Sequence, residues 1–134
     1  MTASAIAAVL LKLPELTPNG VGLFEDFSEK YRSPETRAEM LEVEQNRLLK
    51  DVASFDAACS WLSTLSRIAT VNKNNTTYGL KHFMERAGFG YVSHGIFIAA
   101  AVHLGFVYKL DAPSHSLYLN ISEKALAPAA KAAY

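Results

Sequence analysis

One stretch of the chain constrains the fold more than any other: HGIFIAAAVHLG, residues 94–105, is apolar almost all the way round a helix. Its apolar run from Ile96 to Val102 is far too short to span a bilayer. A helix without a polar face is buried on most of its sides. Ser93 before it is suited to cap the helix and Gly105 after it to end the helix. We therefore expect a helix that lies in the core or in an interface with another subunit.

Length and composition fit one folded domain. The chain has 134 residues, of which 50% are hydrophobic and 19% are charged, so it can bury a core and is not of the disordered class. Its single cysteine, Cys59, excludes an internal disulfide framework and is typical of a reducing cytoplasm. The apolar start of the chain has no basic residue before it, which argues against a secretory signal. We expect a cytoplasmic protein with no membrane-spanning segment.

Helical patterns dominate the first half of the chain, and the clearest start is Ser33 followed by Pro34. Pro14 is expected to stop the first helix. In the short second helix, Phe24, Phe27 and Tyr31 would share one side. The predicted helices are residues 3–13, 23–31, 33–52 and 54–68, with the last two forming a hairpin or one long helix bent near Ser54.

The second half predicts two short helices and a β-hairpin. TVNKNNTT, residues 70–77, is predicted to be a polar loop; a helix follows over 77–87, and then the apolar helix. FVYKL and SLYLNIS are strand-like and are separated by the turn DAPSH. The predicted fold is thus a single, mainly α domain with a winged-helix-like C-terminal half. Its parts are a helical N-terminal part (1–70), a helix-turn-helix plus β-hairpin (71–121) and a C-terminal helix or tail (122–134).

Catalytic and metal-binding patterns are not found in the sequence. His82, His94, His103 and His115 do not form the closely spaced ligand pairs of zinc sites, and Cys59 has no second cysteine beside it. No nucleophile elbow and no phosphate-binding glycine loop occurs. Cys59 falls on the apolar side of its predicted helix, where a buried structural role is the default. We expect a protein that is not an enzyme and has no metal or cofactor.

DNA binding is the first functional hypothesis. Residues 57–134 carry 7 Lys/Arg against 3 Asp/Glu, whereas residues 1–56 carry 6 against 10. The apolar helix lacks the polar residues that a recognition helix presents to base edges, so the loop and helix start before it are better placed for contact with phosphates. The predicted nucleic-acid-binding residues are Lys73, Asn74, Asn75, Thr76, Lys81 and Arg86, with Lys109 from the hairpin.

Two other functions remain open. The small residues of the apolar helix would let another helix approach closely, which favours a protein-interaction module or a homodimer with an interface at Phe97, Ala99, Ala100 and Ala101. A small-molecule pocket between the helices, lined by Trp61, Phe83 and Tyr91, is the third hypothesis.

The segment YGLKH followed by GYVSHGIFIAAAVHLGF, within residues 76–108, resembles small bacterial proteins that are often carried by plasmids and other mobile elements. In that pattern Asn is commoner than His at position 94, which weakens the case for a metal ligand there. The resemblance implies a mobile-element setting, in which DNA-binding accessory proteins are common. The predicted function is therefore a non-catalytic accessory or regulatory protein of such an element.

Overall fold

A computed structural model of the chain describes residues 2–22 and 34–126, and these residues contain both helices and strands. A π-helical turn, Glu85–Phe89, continues the fourth helix. The helices are α1 (Thr2–Lys12), α2 (Pro34–Lys50), α3 (Val52–Leu62), α4 (Thr77–Met84) and α5 (His94–His103). The strands are β1 (Leu16–Thr17), β2 (Gly20–Val21), β3 (Arg67–Thr76), β4 (Tyr108–Asp111) and β5 (Ser116–Ile121).

The helices predicted at 3–13, 33–52, 54–68, 77–87 and 94–105 have counterparts among the described residues, but the one predicted over 54–68 ends at Leu62, and strand β3 begins at Arg67. Helix α1 ends before Pro14, and α2 and α3 are separate helices that meet at Asp51. Ser93 caps α5, its hydroxyl accepting a hydrogen bond from the Ile96 N–H at 3.3 Å. The helix predicted at 23–31, with its Phe24, Phe27 and Tyr31 side, the cap at Ser33 and the tail beyond 126 lie outside the described residues.

The predicted mainly α class is wrong. The described residues mix helices with strands, which form a two-stranded sheet β1-β2 and a three-stranded sheet of order β3-β5-β4. The winged-helix-like arrangement of two short helices followed by a β-hairpin is therefore wrong as well. The hairpin β4-β5 lies where it was predicted, but the stretch predicted to be a polar loop is the strand β3, antiparallel to β5. Strand β3 lacks apolar alternation because it is an edge strand whose side chains are mostly exposed. Only its pairing with a segment about 40 or more residues away makes it a strand.

The small hairpin β1-β2 packs against the start of α5. The Gly95 N–H donates to the Pro18 carbonyl at 3.0 Å. A Cβ placed on Gly95 would lie 1.8 Å from the Thr17 carbonyl oxygen, so glycine is required for this approach. Gly20 has φ +123°, which favours glycine, and it lies against the backbone of His115. The hairpin thereby brings the turn at residues 17–20 beside α5 and the β4-β5 connection.

Helix α5 is the centre of the core. Every residue from His94 to Val102 is buried, and α1, α3 and α4 all pack against the helix. Trp61 of α3 lies with its ring centroid 6.0 Å from that of Phe97. From His94 to Val102 the helix has no polar face because none of its sides meets water. Among the described residues, no helix combines the length and the apolar character that crossing a membrane requires.

Candidate functional site

His94, the first residue of α5, joins three separate parts of the chain. Its Nε2 lies 2.8 Å from the Thr77 hydroxyl of α4, and its Nδ1 lies 3.3 Å from the Asn19 carbonyl oxygen. The Thr77 oxygen also accepts the Leu117 N–H of β5 at 3.0 Å. A carbonyl can only accept, so we assign the ring proton to Nδ1, and Nε2 then accepts from the Thr77 hydroxyl. One uncharged imidazole therefore links the β1-β2 turn to α4, and through Thr77 to β5.

The surroundings of His94 keep it uncharged. Burial lowers its pKa from 6.5 to about 4, against the opposing effect of the hydrogen bond to the Asn19 carbonyl. The positive charges of Lys81, His115 and His82 act in the same direction as burial. A neutral ring at physiological pH fits the assigned proton, because a protonated Nε2 would lose its bond from the Thr77 hydroxyl.

Tyr78 follows the buried Thr77 at the start of α4 and is 55% exposed. Its ring makes edge contacts with His82 and His94, at centroid distances of 5.0 and 5.5 Å. Beside it opens a cleft of about 330 Å³ between the β1-β2 turn, α4 and the β4-β5 connection. The cleft is lined by Asn19, Thr76, Tyr78, His94, Ser114, His115 and Ser116.

One face of the three-stranded sheet continues from this cleft. Lys109 of β4 and Thr76 of β3 both lie directly opposite Tyr118 of β5. Directly opposed residues of antiparallel strands share a face, so the three side chains form a row across the sheet. Ser116 is two residues before Tyr118 and lies on the same face. Since Thr76 and Ser116 also line the cleft, the row and the cleft form one surface, which we call the Tyr78 face.

Lys81, predicted as a DNA contact, is instead inside the protein, at 5% exposure. Its Nζ lies 3.2 Å from Glu85 Oε2 and 3.1 Å from the Val92 carbonyl oxygen. Burial acts to raise the pKa of Glu85, but hydrogen bonds from the Val92 N–H, Lys81 and His82 outweigh it and lower that pKa. The charge of Lys81 is thus compensated internally, under the ring of Tyr91 at 4.8 Å. The prediction of a phosphate contact at Lys81 is corrected accordingly.

The other predicted nucleic-acid residues are spread over the surface. Lys73 and Lys109 are exposed on the two edge strands of the sheet. Arg86 is exposed with its guanidinium 5.3 Å from the Phe83 ring centroid.

The predicted polar residues lie at the end of β3, before α4. Asn74 donates to the Glu123 carboxylate at 2.9 Å. The half-buried pair Asn75 and Thr76 precedes α4, where Thr76 is the N-cap without a side-chain capping bond. Of the seven residues predicted, Thr76 and Lys109 lie together on the Tyr78 face.

The predicted interface is also corrected. Phe97, Ala99, Ala100 and Ala101 are each 0% exposed, so no partner can reach them in the folded protein. The small side chains of α5 allow other helices to approach it closely within the core. Of the two expected locations of this helix, the core and a subunit interface, the structure shows the core.

The predicted small-molecule pocket does not form between its three residues. Trp61 is buried at 4% exposure, whereas Tyr91 is 75% exposed on the surface. Phe83 is half-buried beside Arg86. A larger depression of about 470 Å³ lies along α2 and is lined, in the described part of the chain, by Glu39, Met40, Val43, Glu44 and Arg47. Neither it nor the Tyr78 cleft includes Trp61 or Phe83.

The geometry also bears on two possible nucleophiles, the Thr77 hydroxyl beside His94 and the Cys59 thiol. Thr77 and His94 are arranged like a hydroxyl and its base, but Thr77 is 0% exposed and its oxygen is already bonded to β5. A substrate has no access to it. Burial, and then the charge of Asp56, raise the pKa of the Cys59 thiol to about 11, which disfavours the reactive thiolate. Within residues 2–22 and 34–126, no three His, Cys, Asp or Glu side chains are grouped to hold a metal ion.

Sequence reasoning missed most of the cleft. Asn19 and His94 are 75 residues apart, and no local pattern links them. The closest signals were two glycines, Gly20 and Gly95, at positions where backbones approach each other. The chain matches no known protein family, and neither the curated proteins nor the solved structures searched include a significant match.

Proposed function

We propose that this protein is a non-catalytic, cytoplasmic accessory protein of a bacterial mobile element and that it binds nucleic acid through the Tyr78 face. The observation that carries the proposal is the row of Lys109, Tyr118 and Thr76 beside the half-exposed Tyr78. Basic side chains attract phosphates, and exposed aromatic rings between them offer stacking surfaces for bases. The mobile-element setting comes from the resemblance of residues 76–108 alone.

The burial of α5 changes how such binding would work. A helix that reads the major groove needs side chains free to reach base edges, and every residue of α5 from His94 to Val102 is buried. Binding through α5 is therefore not part of the proposal. Contacts from strands, a helix start and a loop suit the backbone and unpaired bases better than a duplex groove.

The test is a fluorescence-anisotropy titration of labelled DNA and RNA over a salt series. Affinity should fall steeply with salt, since each neutralised phosphate releases counterions. Lys109→Ala should weaken binding to all sequences and reduce the salt slope by about 0.7 to 1, the change for one lost phosphate contact. Lys12→Ala, at an exposed lysine of α1, is the charge-matched control and should leave the slope unchanged. Absence of binding at low salt would overturn the proposal.

A protein partner is the second candidate, and a different part of the surface favours it. Tyr91 is 75% exposed and Phe89 is 38% exposed, both in the segment between α4 and α5. Exposed aromatic residues of this kind are enriched at interface centres. If they form a homodimer contact, light scattering on the wild-type protein gives twice the monomer mass and Tyr91→Ala returns it to the monomer value. A monomeric wild-type mass at high concentration removes the homodimer version.

A further inference from the structure

The ring of Tyr78 is held in place before any ligand arrives. The imidazoles of His82 and His94 make edge contacts with it, at centroid distances of 5.0 and 5.5 Å. The Lys81 ammonium lies 5.7 Å from the ring centroid. His94 and Lys81 are themselves fixed by buried hydrogen bonds. An aromatic ring that is half exposed yet fixed by its neighbours loses little conformational entropy when a ligand stacks on it.

The cleft beside this ring has the size and chemistry for one flat polar ring. Its volume of about 330 Å³ lies at the lower end of the range for small-ligand sites, roughly 300 to 1,000 Å³. Its lining includes residues whose hydroxyl or amide side chains can donate or accept hydrogen bonds, namely Thr76, Ser114 and Asn19. The Ser114 hydroxyl donates to the Asp111 carboxylate at 2.5 Å, so its oxygen is oriented to accept.

A base within a duplex exposes only its groove edges and cannot be placed in such a cleft. Its hydrogen-bonding edge is paired and both its faces are stacked, whereas an unpaired base can turn outward and stack on a protein ring. Lys109 supplies a positive charge on this face, in the same row as Thr76. A nucleotide with its base in the cleft would thus have a basic side chain along the same sheet face for its phosphate.

We propose that the cleft takes one unpaired nucleobase, stacked on Tyr78 and hydrogen-bonded by the polar lining, so that the protein prefers single-stranded nucleic acid to duplex. This preference rests on the proposed nucleic-acid binding and adds its substrate class. A free nucleotide presents the same base and phosphate, and it is a separate arm of the test.

The experiment compares a fluorescein-labelled mixed-sequence DNA strand, the matching RNA strand and a hairpin duplex of the DNA, with AMP and CMP as competitors. The single strands should bind at least tenfold more tightly than the duplex. Tyr78→Ala should weaken single-strand binding by roughly tenfold or more, the effect of removing a base-stacking aromatic. Tyr78→Phe keeps the ring and should retain binding. Tyr91→Ala is the matched control, because Tyr91 is also exposed and contacts Lys81 but lies outside the cleft.

The outcomes separate the two proposals. Single-strand preference that depends on Tyr78 but not on Tyr91 supports the base cleft, and competition by a mononucleotide would identify a free nucleotide as an equally good occupant. Equal or tighter binding of duplex overturns the base cleft while nucleic-acid binding stands, as does wild-type affinity of a folded Tyr78→Ala protein. No binding of any strand overturns the proposed function and the cleft together. Circular dichroism of each variant shows whether it is folded.

Discussion

Lowering the pH should destabilise this protein through His94 before its carboxylates are affected. In the folded state the pKa of His94 is about 4, because burial disfavours the charged ring, whereas in the unfolded chain it returns to about 6.5. Between these values the unfolded chain binds more protons than the folded one. The free energy of unfolding therefore falls as pH falls from about 6.5 to about 4, and the contribution of neutral His94 is complete above pH 6.5.

The magnitude follows from the size of the shift. Each pKa unit corresponds to about 1.4 kcal/mol, so lowering the pKa from 6.5 to about 4 makes His94 responsible for about 3 kcal/mol of acid-induced loss. His94 is only 5% exposed, so solvent screens this effect little. The loss is a large part of the roughly 5 to 15 kcal/mol that stabilises a typical domain.

Urea denaturation at a series of pH values measures this loss. His94→Gln removes the titrating ring but keeps an amide that can accept from Thr77, so its unfolding free energy should be lower at neutral pH and nearly constant down to pH about 4.5. His103→Gln, at an exposed histidine at the other end of α5, should keep the wild-type dependence. Further loss below that pH is expected in every variant, since the pKa of Glu85 is lowered in the folded state and its protonation favours unfolding. Parallel curves for wild type and His94→Gln between pH about 6.5 and about 4.5 would refute the reasoning.

Three further predictions concern the packing, the internal ion pair and the thiol. Gly95→Ala should cost about 3 kcal/mol or more of unfolding free energy in urea denaturation, because its Cβ would collide with the β1 backbone, whereas Gly79→Ala, whose Cβ meets nothing closer than 3.7 Å, should be neutral or slightly stabilising. Glu85→Ala should cost about 1 to 3 kcal/mol by thermal unfolding because it leaves a buried ammonium without its carboxylate. Glu44→Ala removes the partner of Arg47, whose side chain is 70% exposed, and should change stability by less than about 1 kcal/mol; equal losses would contradict the difference in burial between Lys81 and Arg47. Cys59 should react with a thiol reagent at pH about 8 far more slowly in the folded protein than in urea, and equal rates would show that the thiol is not protected.

What the sequence predicted correctly depends on neighbours within a turn or two. The cap at Ser93, the break before Pro14 and the apolar character of α5 are local features, and each has its expected structural result. Such local features predict whether a segment is buried, but they do not identify the residues that cover it. For that reason the sequence predicted the burial of α5 but left open whether the cover was the core or a second subunit.

The errors arise where distant segments meet. Strand β3 has the composition of a loop, and only its hydrogen bonds with β5 make it a strand. Lys81 was predicted to contact nucleic acid from the start of a helix, but it is buried, and Glu85 one turn later and the Val92 carbonyl compensate its charge. The cleft depends on Asn19 and His94, which are 75 residues apart in the sequence and meet only in the folded protein.

The burial of α5 on all sides also determines which fragments of the chain can fold alone. Helix α1, from the first residues of the chain, and α3 cover sides of α5 that a fragment of residues 71–121 would leave open to water. Such a fragment would carry an apolar helix with nothing over it and should aggregate rather than fold. The amides of α5 should open only when the entire core does, so their hydrogen exchange should report global unfolding. The helix-turn-helix and hairpin of this chain are therefore not a transplantable module, although their order in the sequence gives them that outline.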